Sequence, residues 1–184
     1  SGKQGIAIAN AAKNRGAQVQ LIAANCDVAS LTGIDVIHVE TTLEMQSALQ
    51  AHFDSCDILI MSAAVADARP MRISEQKIKK ATLNSIELQQ NPDLLAELSP
   101  RKGKRVMVGF AAETKEHLQE ARRKLESKGL DVIYVNDVSG GAIFGQDTTM
   151  GTILLRNEAD IAIKEVSKDA LSNVLLDHAI RQLG

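Results

Sequence analysis

Apolar residues recur along the chain with two alternating periodicities. Spacings of three and four residues, typical of amphipathic helices, occur over 2–14, 43–53, 115–128 and 168–183. Short aliphatic runs, typical of strands, occur over 18–23, 35–40, 57–61, 105–110 and 131–135. Strands that alternate with helices form parallel sheets covered by helices on both faces. The pattern therefore predicts an α/β fold with a doubly wound, mostly parallel, Rossmann-like sheet.

Two regions add detail to this alternation. A helix is predicted to open at Asn91-Pro92-Asp93, with an N-cap side chain, a proline in the first helical position and an acid in the first turn. Just before it, 85–89 is a candidate short strand. In the last third, 152–155 and 161–166 are predicted to pair as a hairpin that the C-terminal helix follows.

Length and composition favour a single domain over residues 1–184, because a chain of 184 residues with 45% apolar content buries one sizeable core. A doubly wound sheet begins with a strand, yet this chain begins at Ser1-Gly2-Lys3, in the turn into its first helix. We therefore expect an upstream strand and loop that this chain does not include, together with whatever they contribute to a site.

Charge and side-chain chemistry narrow the classes of function. With a net charge of −2, three Phe, one Tyr and no Trp, the chain lacks the basic field and stacking platforms of nucleic-acid binders. Cys26 and Cys56 have no metal-ligand spacing and favour a reducing compartment. No apolar run reaches the about 18 residues of a membrane span, so we expect a cytoplasmic protein without membrane contact. No metal site is assigned to the histidines, His38, His52, His117 and His178.

The strongest candidate for chemistry is a carboxylate followed by a lysine cluster. Asp67 comes shortly after the apolar run 57–61, just past the carboxyl end of a strand, where open α/β sheets bind ligands. Lys77, Lys79 and Lys80 follow on a polar segment, which indicates a loop that closes over a polyanion. The alternative is a solvated basic run, because exposure is the usual state of lysine.

The first helix opens with Gly2-Lys3-Gln4-Gly5, which favours phosphate binding through backbone N–H groups and the helix dipole. This is not a P-loop, because Gln4 stands where that motif requires Ser or Thr. The alternative is that the small residues serve only helix packing.

An NAD(P)-dependent reductase of the Rossmann type is a rival interpretation, because it shares the glycine-rich turn and the sheet. Short-chain reductases use a Tyr followed four residues later by Lys, whereas Tyr134 is followed at that distance by Val138. The strand over 18–23 also leads into Ala24 and Asn25, where an NAD site usually has an acid.

Three further residues are candidates for a pocket. Lys124 and Lys128 lie one helical turn apart, beside the apolar stripe of the helix over 115–128, so their ammonium groups can extend over the strand ends. Phe110 ends a strand and is a candidate wall for a nucleobase pocket. The alternatives are an exposed basic helix face and an ordinary core phenylalanine.

Six stretches in this order resemble the bacterial phosphopantothenoylcysteine synthetase family, the carboxyl-terminal domain of the bifunctional coenzyme A biosynthesis protein. The resemblance runs from residue 1 nearly to 184. The six stretches are Ser1-Gly2-Lys3-Gln4-Gly5, Ala63-Ala64-Val65-Ala66-Asp67 with Pro70, Lys77-Ile78-Lys79-Lys80, Asn91-Pro92-Asp93, Gly109-Phe110-Ala111-Ala112-Glu113-Thr114 and Asn136-Asp137-Val138.

The resemblance implies a reaction and its small molecules. Family members join 4'-phosphopantothenate to L-cysteine with CTP: the pantothenate carboxylate attacks the α-phosphate, and the cysteine amine then displaces CMP from the acyl-cytidylate. Mg²⁺ neutralises the phosphate charge. FMN belongs only to the decarboxylase domain, which this chain does not include.

The resemblance also implies site residues. Lys77 is the implied catalytic residue, which contacts CTP and assists turnover of the acyl-cytidylate. Gly2, Ala63 and Ala64 are implied in substrate and phosphate binding. The implied nucleotide-binding set is Met61, Ser62, Ala63, Asp67, Lys77, Pro92, Asp93, Leu94, Leu95, Phe110, Lys124 and Lys128.

The chain departs from the family pattern before Ser1, where the family carries an asparagine that holds the acyl-cytidylate. We therefore expect this chain to keep the pocket but to be a poor catalyst. The resemblance further implies a homodimer, with part of the pocket completed by the partner, and a higher oligomer with the decarboxylase domain. A nucleotide-binding module without catalysis remains the alternative from another functional class.

Overall fold

The computed structural model describes residues 2–28, 31–72, 74, 76, 85–113, 118–137 and 146–183. Five helices are described, namely α1 Lys3–Asn14, α2 Thr42–His52, α3 Leu94–Leu98, α4 Leu118–Ser127 and α5 Lys168–Gln182. The described strands are β1 Gln20–Ala24, β2 Asp35–Val39, β3 Ile58–Met61, β4 Ala68–Pro70, β5 Leu88–Gln90, β6 Val106–Glu113, β7 Val132–Asp137, β8 Thr148–Leu155 and β9 Ile161–Ser167.

The central sheet has five strands in the order β3-β6-β7-β8-β9. Strands β3, β6 and β7 are parallel, while β8 and β9 are antiparallel to their neighbours. The α/β class and the C-terminal hairpin are therefore confirmed. The expectation of a mostly parallel sheet is only partly right, because the hairpin folds back onto β7 as an antiparallel extension of the sheet.

Helices cover both faces of this sheet, as the apolar strand runs predicted. On the α1/α5 face, α1 and α5 pack against Val108, Val132 and Tyr134. On the opposite α2–α4 face, α2, α3 and α4 pack against Met107 and Ile133. Alternate residues of a strand point to opposite faces, so β6 and β7 are buried on both.

Strands β1 and β2 form a separate parallel pair that shares no ladder with the central sheet. A groove of about 1040 Å³ lies between β1 and β3, lined by Ile8 and Ala12 of α1 and by Met45 and Leu49 of α2. The upstream strand stays a prediction. In this groove such a strand would lie beside both β1 and β3.

The predicted helix start at Asn91 is wrong by two residues. The N-cap of α3 is Asp93, whose carboxylate accepts a hydrogen bond from the Ala96 N–H at 3.2 Å. The Asn91 amide instead donates to the Ala66 carbonyl at 2.8 Å and accepts from Arg69 at 2.9 Å. Asn91 cannot cap α3, because its side chain ties the strands before the helix together.

Strands β4 and β5 pair antiparallel as a short ribbon, and the Met71 N–H extends it by donating to the Glu87 carbonyl at 2.9 Å. The short strand predicted over 85–89 is thus found at Leu88–Gln90. The ribbon carries the segment with the lysine cluster between its strands. Lys77, Lys79 and Lys80 lie outside the described residues.

Helix α4 is described from Leu118 and ends at Ser127, so the start predicted at residue 115 lies outside the described residues. None of the described helices combines the length and apolar character needed to cross a membrane.

Replacement of Gly151 by alanine tests the tight packing of β8 on β7. An added Cβ would lie 2.1 Å from the Val135 carbonyl oxygen and 3.0 Å from the Tyr134 ring. We expect Gly151→Ala to lower the free energy of unfolding by about 1–3 kcal/mol, measured by urea denaturation. Thr152→Ala, at a half-buried position of the same strand, is the control and should cost clearly less; equal losses would contradict the steric argument.

Candidate functional site

The carboxyl ends of the parallel strands β3, β6 and β7 meet at one edge of the central sheet, here called the carboxyl edge. Ligands of open α/β sheets bind outside this edge. At the end of β3, Met61 and Ser62 are half-buried, while Ala63 and Ala64 are exposed. The exposed backbone after Met61 therefore lies where the sequence analysis expected a nucleotide and a phosphate.

Helix α1 begins close to this edge because two glycines permit the approach. Gly2 has a positive φ of 69°, and a Cβ there would lie 2.5 Å from the Cβ of Cys26. A Cβ on Gly5 would lie 2.9 Å from the Ser62 hydroxyl oxygen. The packing interpretation of these glycines is confirmed, and phosphate binding at Gly2 stays a prediction.

The polar side chains of the first turn of α1 make contacts with the C-terminal part of the chain. Lys3 Nζ donates to Asp147 Oδ1 at 2.7 Å, which lowers the pKa of that exposed carboxyl. Gln4 donates to the Ser172 hydroxyl at 2.9 Å. The Gln4 contact holds the start of α1 against α5, and the Lys3 contact holds it against the residue just before β8.

Asp67 lies at the base of the β4–β5 ribbon with an exposed side chain. Its carbonyl accepts a hydrogen bond from the Asn91 N–H at 2.8 Å, beside the Asn91 side-chain bond to Ala66. Asn91 therefore fixes the chain between β3 and β4 relative to α3. The Asp67 carboxylate is presented from a braced backbone.

Asp93 and Lys128 form an ion pair on the α2–α4 side, with 2.9 Å between Nζ and Oδ2. Partial burial raises the pKa of Asp93, but hydrogen bonds from Lys128 and the Ala96 N–H outweigh it, so the pKa is lowered overall. Lys124 lies four residues earlier, within α4, and is half-buried, whereas Lys128 directly follows the last residue of α4. The structure thus brings together Asp93 and Lys128, two residues of the implied nucleotide-binding set, whose contact with a nucleotide stays a prediction.

Three further predicted residues surround the start of α3. Pro92 is half-buried, whereas the Leu94 and Leu95 side chains are 5% and 9% exposed and belong to the core of the α2–α4 face. Their side chains are therefore part of the packing. Any ligand contact here would use the backbone or the Asp93 carboxylate.

Phe110 lies on the opposite side of the sheet. Its ring meets Tyr134 edge to face, with 5.7 Å between ring centroids, and packs among residues of the α1/α5 face. The core interpretation of Phe110 is confirmed, and its contact with a nucleobase stays a prediction. The predicted nucleotide residues therefore flank the carboxyl edge on both faces.

Several residues used in the sequence-based predictions lie outside the described residues. Among them are Lys77, with its catalytic and nucleotide-binding assignments, His117 and Val138. Within the described part of the chain, no group of three or more His, Cys, Asp or Glu side chains is placed to hold a metal ion.

The sequence analysis assigned no role to three polar residues near the carboxyl edge. Strand β7 continues past the predicted end at Val135 through Asn136 and Asp137, and Asp137 is only 5% exposed. Thr149 of β8 is buried at 6% exposure and donates to Asn136 Oδ1 at 2.9 Å. The sequence signal for Asn136 and Asp137 is that these two polar residues directly follow the apolar run over 131–135.

The DNA/pantothenate metabolism flavoprotein C-terminal domain model matches residues 1–183. The chain belongs to this family. It is 37% identical to the coenzyme A biosynthesis bifunctional protein CoaBC of Mycobacterium tuberculosis over 96% of its length, and 40% identical to that of Vibrio cholerae over 99%. The chain spans about half the length of these curated relatives, 46% in both cases.

Solved structures show the same fold. A crystal structure of the C-terminal domain of CoaBC is 29% identical, with a TM-score of 0.84 that covers 100% of this chain and 83% of that one. A Cab2 H337A mutant in complex with phosphopantothenate-cysteine is 12% identical, with a TM-score of 0.71 over 97% of this chain and 77% of that one. This second likeness supports the fold alone.

Substitutions at Asp93 separate its two contacts. Asp93→Ala loses the helix cap and the ion pair with Lys128, so we expect a loss of about 1–2 kcal/mol in the free energy of unfolding near neutral pH. Asp93→Asn keeps a capping oxygen and should lose clearly less, measured by urea denaturation.

The same pair of variants tests the charge of Asp93. A carboxyl whose pKa is lowered on folding stabilises the protein above its unfolded pKa, and the contribution is lost as pH falls through the folded pKa. The difference between the wild-type chain and Asp93→Asn should therefore shrink as the pH falls below about 4. A difference that stays constant as the pH falls well below about 4 would contradict the ion-pair assignment.

Proposed function

We propose that this chain catalyses the CTP-dependent ligation of 4'-phosphopantothenate and L-cysteine to 4'-phosphopantothenoylcysteine, a step of coenzyme A biosynthesis. The observation that carries the proposal is the identity of 37–40% to CoaBC proteins over nearly the whole chain, together with the family match over residues 1–183. The arrangement of candidate groups around the carboxyl edge supports the same conclusion.

The proposed chemistry has two steps. A carboxylate oxygen of phosphopantothenate attacks the α-phosphorus of CTP, and pyrophosphate leaves. The cysteine amine then attacks the acyl carbon, loses a proton, and CMP leaves with the bond electrons. Both steps develop negative charge on oxygen atoms, so cations and backbone N–H groups are the expected catalysts.

Lys77 is the proposed catalytic cation. It lies between β4 and β5 in the sequence, and Asn91 braces the base of this ribbon through its side-chain hydrogen bond to the Ala66 carbonyl. Asp67, exposed at the ribbon base, is the proposed nucleotide-binding carboxylate.

Mg²⁺ would neutralise the phosphates of CTP when bound. Proteins usually hold Mg²⁺ through one or two carboxylates plus substrate phosphates and waters, so a three-residue cluster is not required. The exposed Asp67 carboxylate fits that kind of site.

The helix lysines are proposed to meet the nucleotide from the α2–α4 side. Lys128 is paired with Asp93, so its ammonium is already held at the start of α3 by a short ion pair. CTP would have to share this cation with Asp93 or displace the carboxylate. Lys124 lies one turn nearer the start of α4 and adds a second positive charge to this side of the site.

The proposal includes the assembly implied by the family. We propose a homodimer in the cytoplasm that joins a decarboxylase domain in a higher oligomer, with FMN confined to that second domain. Relatives twice as long as this chain and named as bifunctional support the second domain.

The decisive assay follows pyrophosphate release, which should require CTP and 4'-phosphopantothenate and should continue beyond one equivalent per active site only when L-cysteine is present. Lys77→Gln should lower the turnover of the acyl-cytidylate by at least about tenfold, because one cation aimed at developing charge is lost. Lys104→Gln is the matched control, because Lys104 is exposed in the turn before β6, at the opposite edge of the sheet.

The alternatives give different results in the same experiment. Thermal stabilisation by CTP without any ligation would indicate a binding module, and stabilisation by NADP alone would indicate a reductase. Unchanged turnover in Lys77→Gln would remove Lys77 from the catalytic assignment.

A longer chain that includes the residues preceding Ser1 tests the expected upstream contribution. We expect it to release pyrophosphate faster than the 184-residue chain, because the groove between β1 and β3 would receive a strand and the site would gain the family asparagine. Steady-state rates at saturating substrates make the comparison. Equal rates for the two chains would refute the expected contribution of the upstream residues.

A further inference from the structure

A buried chain of hydrogen bonds connects β7 and β8 beneath the carboxyl edge. The Tyr134 hydroxyl oxygen lies 2.8 Å from the Thr149 hydroxyl oxygen, and Thr149 in turn lies 2.9 Å from Asn136 Oδ1. Tyr134 is 1% exposed and Thr149 6% exposed, while Asn136 is half-buried. This series of hydrogen bonds thus runs from the interior of the sheet to a residue at its rim.

The direction of these hydrogen bonds follows from the group at the rim. Asn136 Oδ1 can only accept, so the Thr149 hydroxyl donates its single hydrogen to it. Thr149 Oγ1 is then left to accept, and the Tyr134 hydroxyl is its donor.

The same hydrogen bond fixes which end of the Asn136 amide faces Thr149. Because Oδ1 accepts from Thr149, the amide nitrogen with its two hydrogens is turned to the other side of the group. Thr149 therefore sets the polarity of a side chain at the end of β7.

Asn136 lies at the candidate site rather than elsewhere on the surface. It pairs with Ala112 of β6 at the carboxyl edge, and it shares a sheet face with Tyr134, two residues earlier on the same strand. Tyr134 contacts Phe110, which is itself a predicted nucleotide-binding residue. Asn136 thus lies on the same sheet face as the Phe110–Tyr134 ring pair, two residues nearer the carboxyl edge.

The strand β8 is shaped to permit this arrangement. The β8–β9 register shifts between Thr149 and Gly151, and a Cβ on Gly151 would lie 3.0 Å from the hydroxyl oxygen of Tyr134. A glycine here lets the tyrosine side chain pass, and the irregular register brings Thr149 to its hydroxyl. Local packing alone requires neither hydroxyl.

We propose that Thr149 and Tyr134 are positioning residues that hold Asn136 with its amide N–H groups directed to an oxygen acceptor of the bound substrate. This rests on the proposed function, because it concerns the same site. The acceptor is a phosphate, carboxylate or nucleobase carbonyl oxygen, and separate KM measurements for the three substrates distinguish which molecule carries it.

The test compares variants made in the longest form of the protein that shows the proposed ligase activity. Thr149→Val removes the hydroxyl with little change of shape and should raise KM for one substrate about two- to tenfold, the range that one neutral hydrogen bond supplies, with kcat within about twofold. Thr149→Ser restores a hydroxyl and should return KM toward the wild-type value. Thr152→Val, on the same strand but aligned with Val135, is the control and should leave both constants unchanged.

A second variant separates positioning from stability. Thr149→Val alone leaves the buried Tyr134 hydroxyl without its partner, which costs stability. The double variant Tyr134→Phe with Thr149→Val removes both hydroxyls, so it should recover stability while KM stays raised. Recovery of KM together with stability would overturn the proposal, as would an unchanged KM for all three substrates in Thr149→Val.

One readout does not depend on catalysis. The ¹⁵N side-chain amide signals of Asn136 should shift in Thr149→Val and return in Thr149→Ser, because the amide loses and regains its hydrogen-bond donor. Unchanged signals would refute the positioning role even if the chain proves to be a ligase. Absence of ligation in the wild-type protein would refute the proposed function and leave this measurement to decide the orientation of Asn136.

Discussion

The parallel pairing of β6 with β7 is the interaction on which the rest of the structure depends. Both strands are buried on both faces, with Met107, Val108, Val132 and Ile133 at most 2% exposed. Apolar burial on two faces contributes more than any single polar contact, since each fully buried aliphatic side chain stabilises the fold by about 1.5–3 kcal/mol. Because the two strands are parallel, their carboxyl ends meet at one edge, and the polar residues that follow them meet there as well.

The carboxyl edge therefore receives groups from two chemically different sides. The α2–α4 side supplies charge, in the Asp93–Lys128 pair and the strip of α4 that includes Lys124. The α1/α5 side supplies the Phe110–Tyr134 ring pair and the amide of Asn136. A nucleotide has a polyanionic end and a flat, neutral base, so an edge with one charged and one largely uncharged side suits both parts of such a ligand.

Periodicity predicted the elements well, since the helices and strands that it indicated are present with ends shifted by a few residues. The exceptions were decided by contacts between distant parts of the chain. The sequence predicted Asn91 as a helix N-cap, but its side chain is hydrogen-bonded to the carbonyl of Ala66 and the guanidinium of Arg69. Asp93 is the N-cap instead. Strand β7 extends through Asn136 because β6 and β8 continue to pair with it beyond the apolar run.

The order of apolar and polar residues by itself determined the α/β class, the position of Asp67 after a strand, and the family to which the chain belongs, because periodicity and motif spacing are properties of adjacent residues. Only the tertiary structure decided that Lys128 pairs with Asp93, that Phe110 lies on the opposite face from them, and that a buried threonine orients Asn136. Thr149 and Asn136 are 13 positions apart and meet through the strands of the sheet. Lys128 and Asp93 are 35 positions apart and meet because α3 and α4 share the core of the α2–α4 face. Their distances depend on how whole elements pack, which no local pattern specifies.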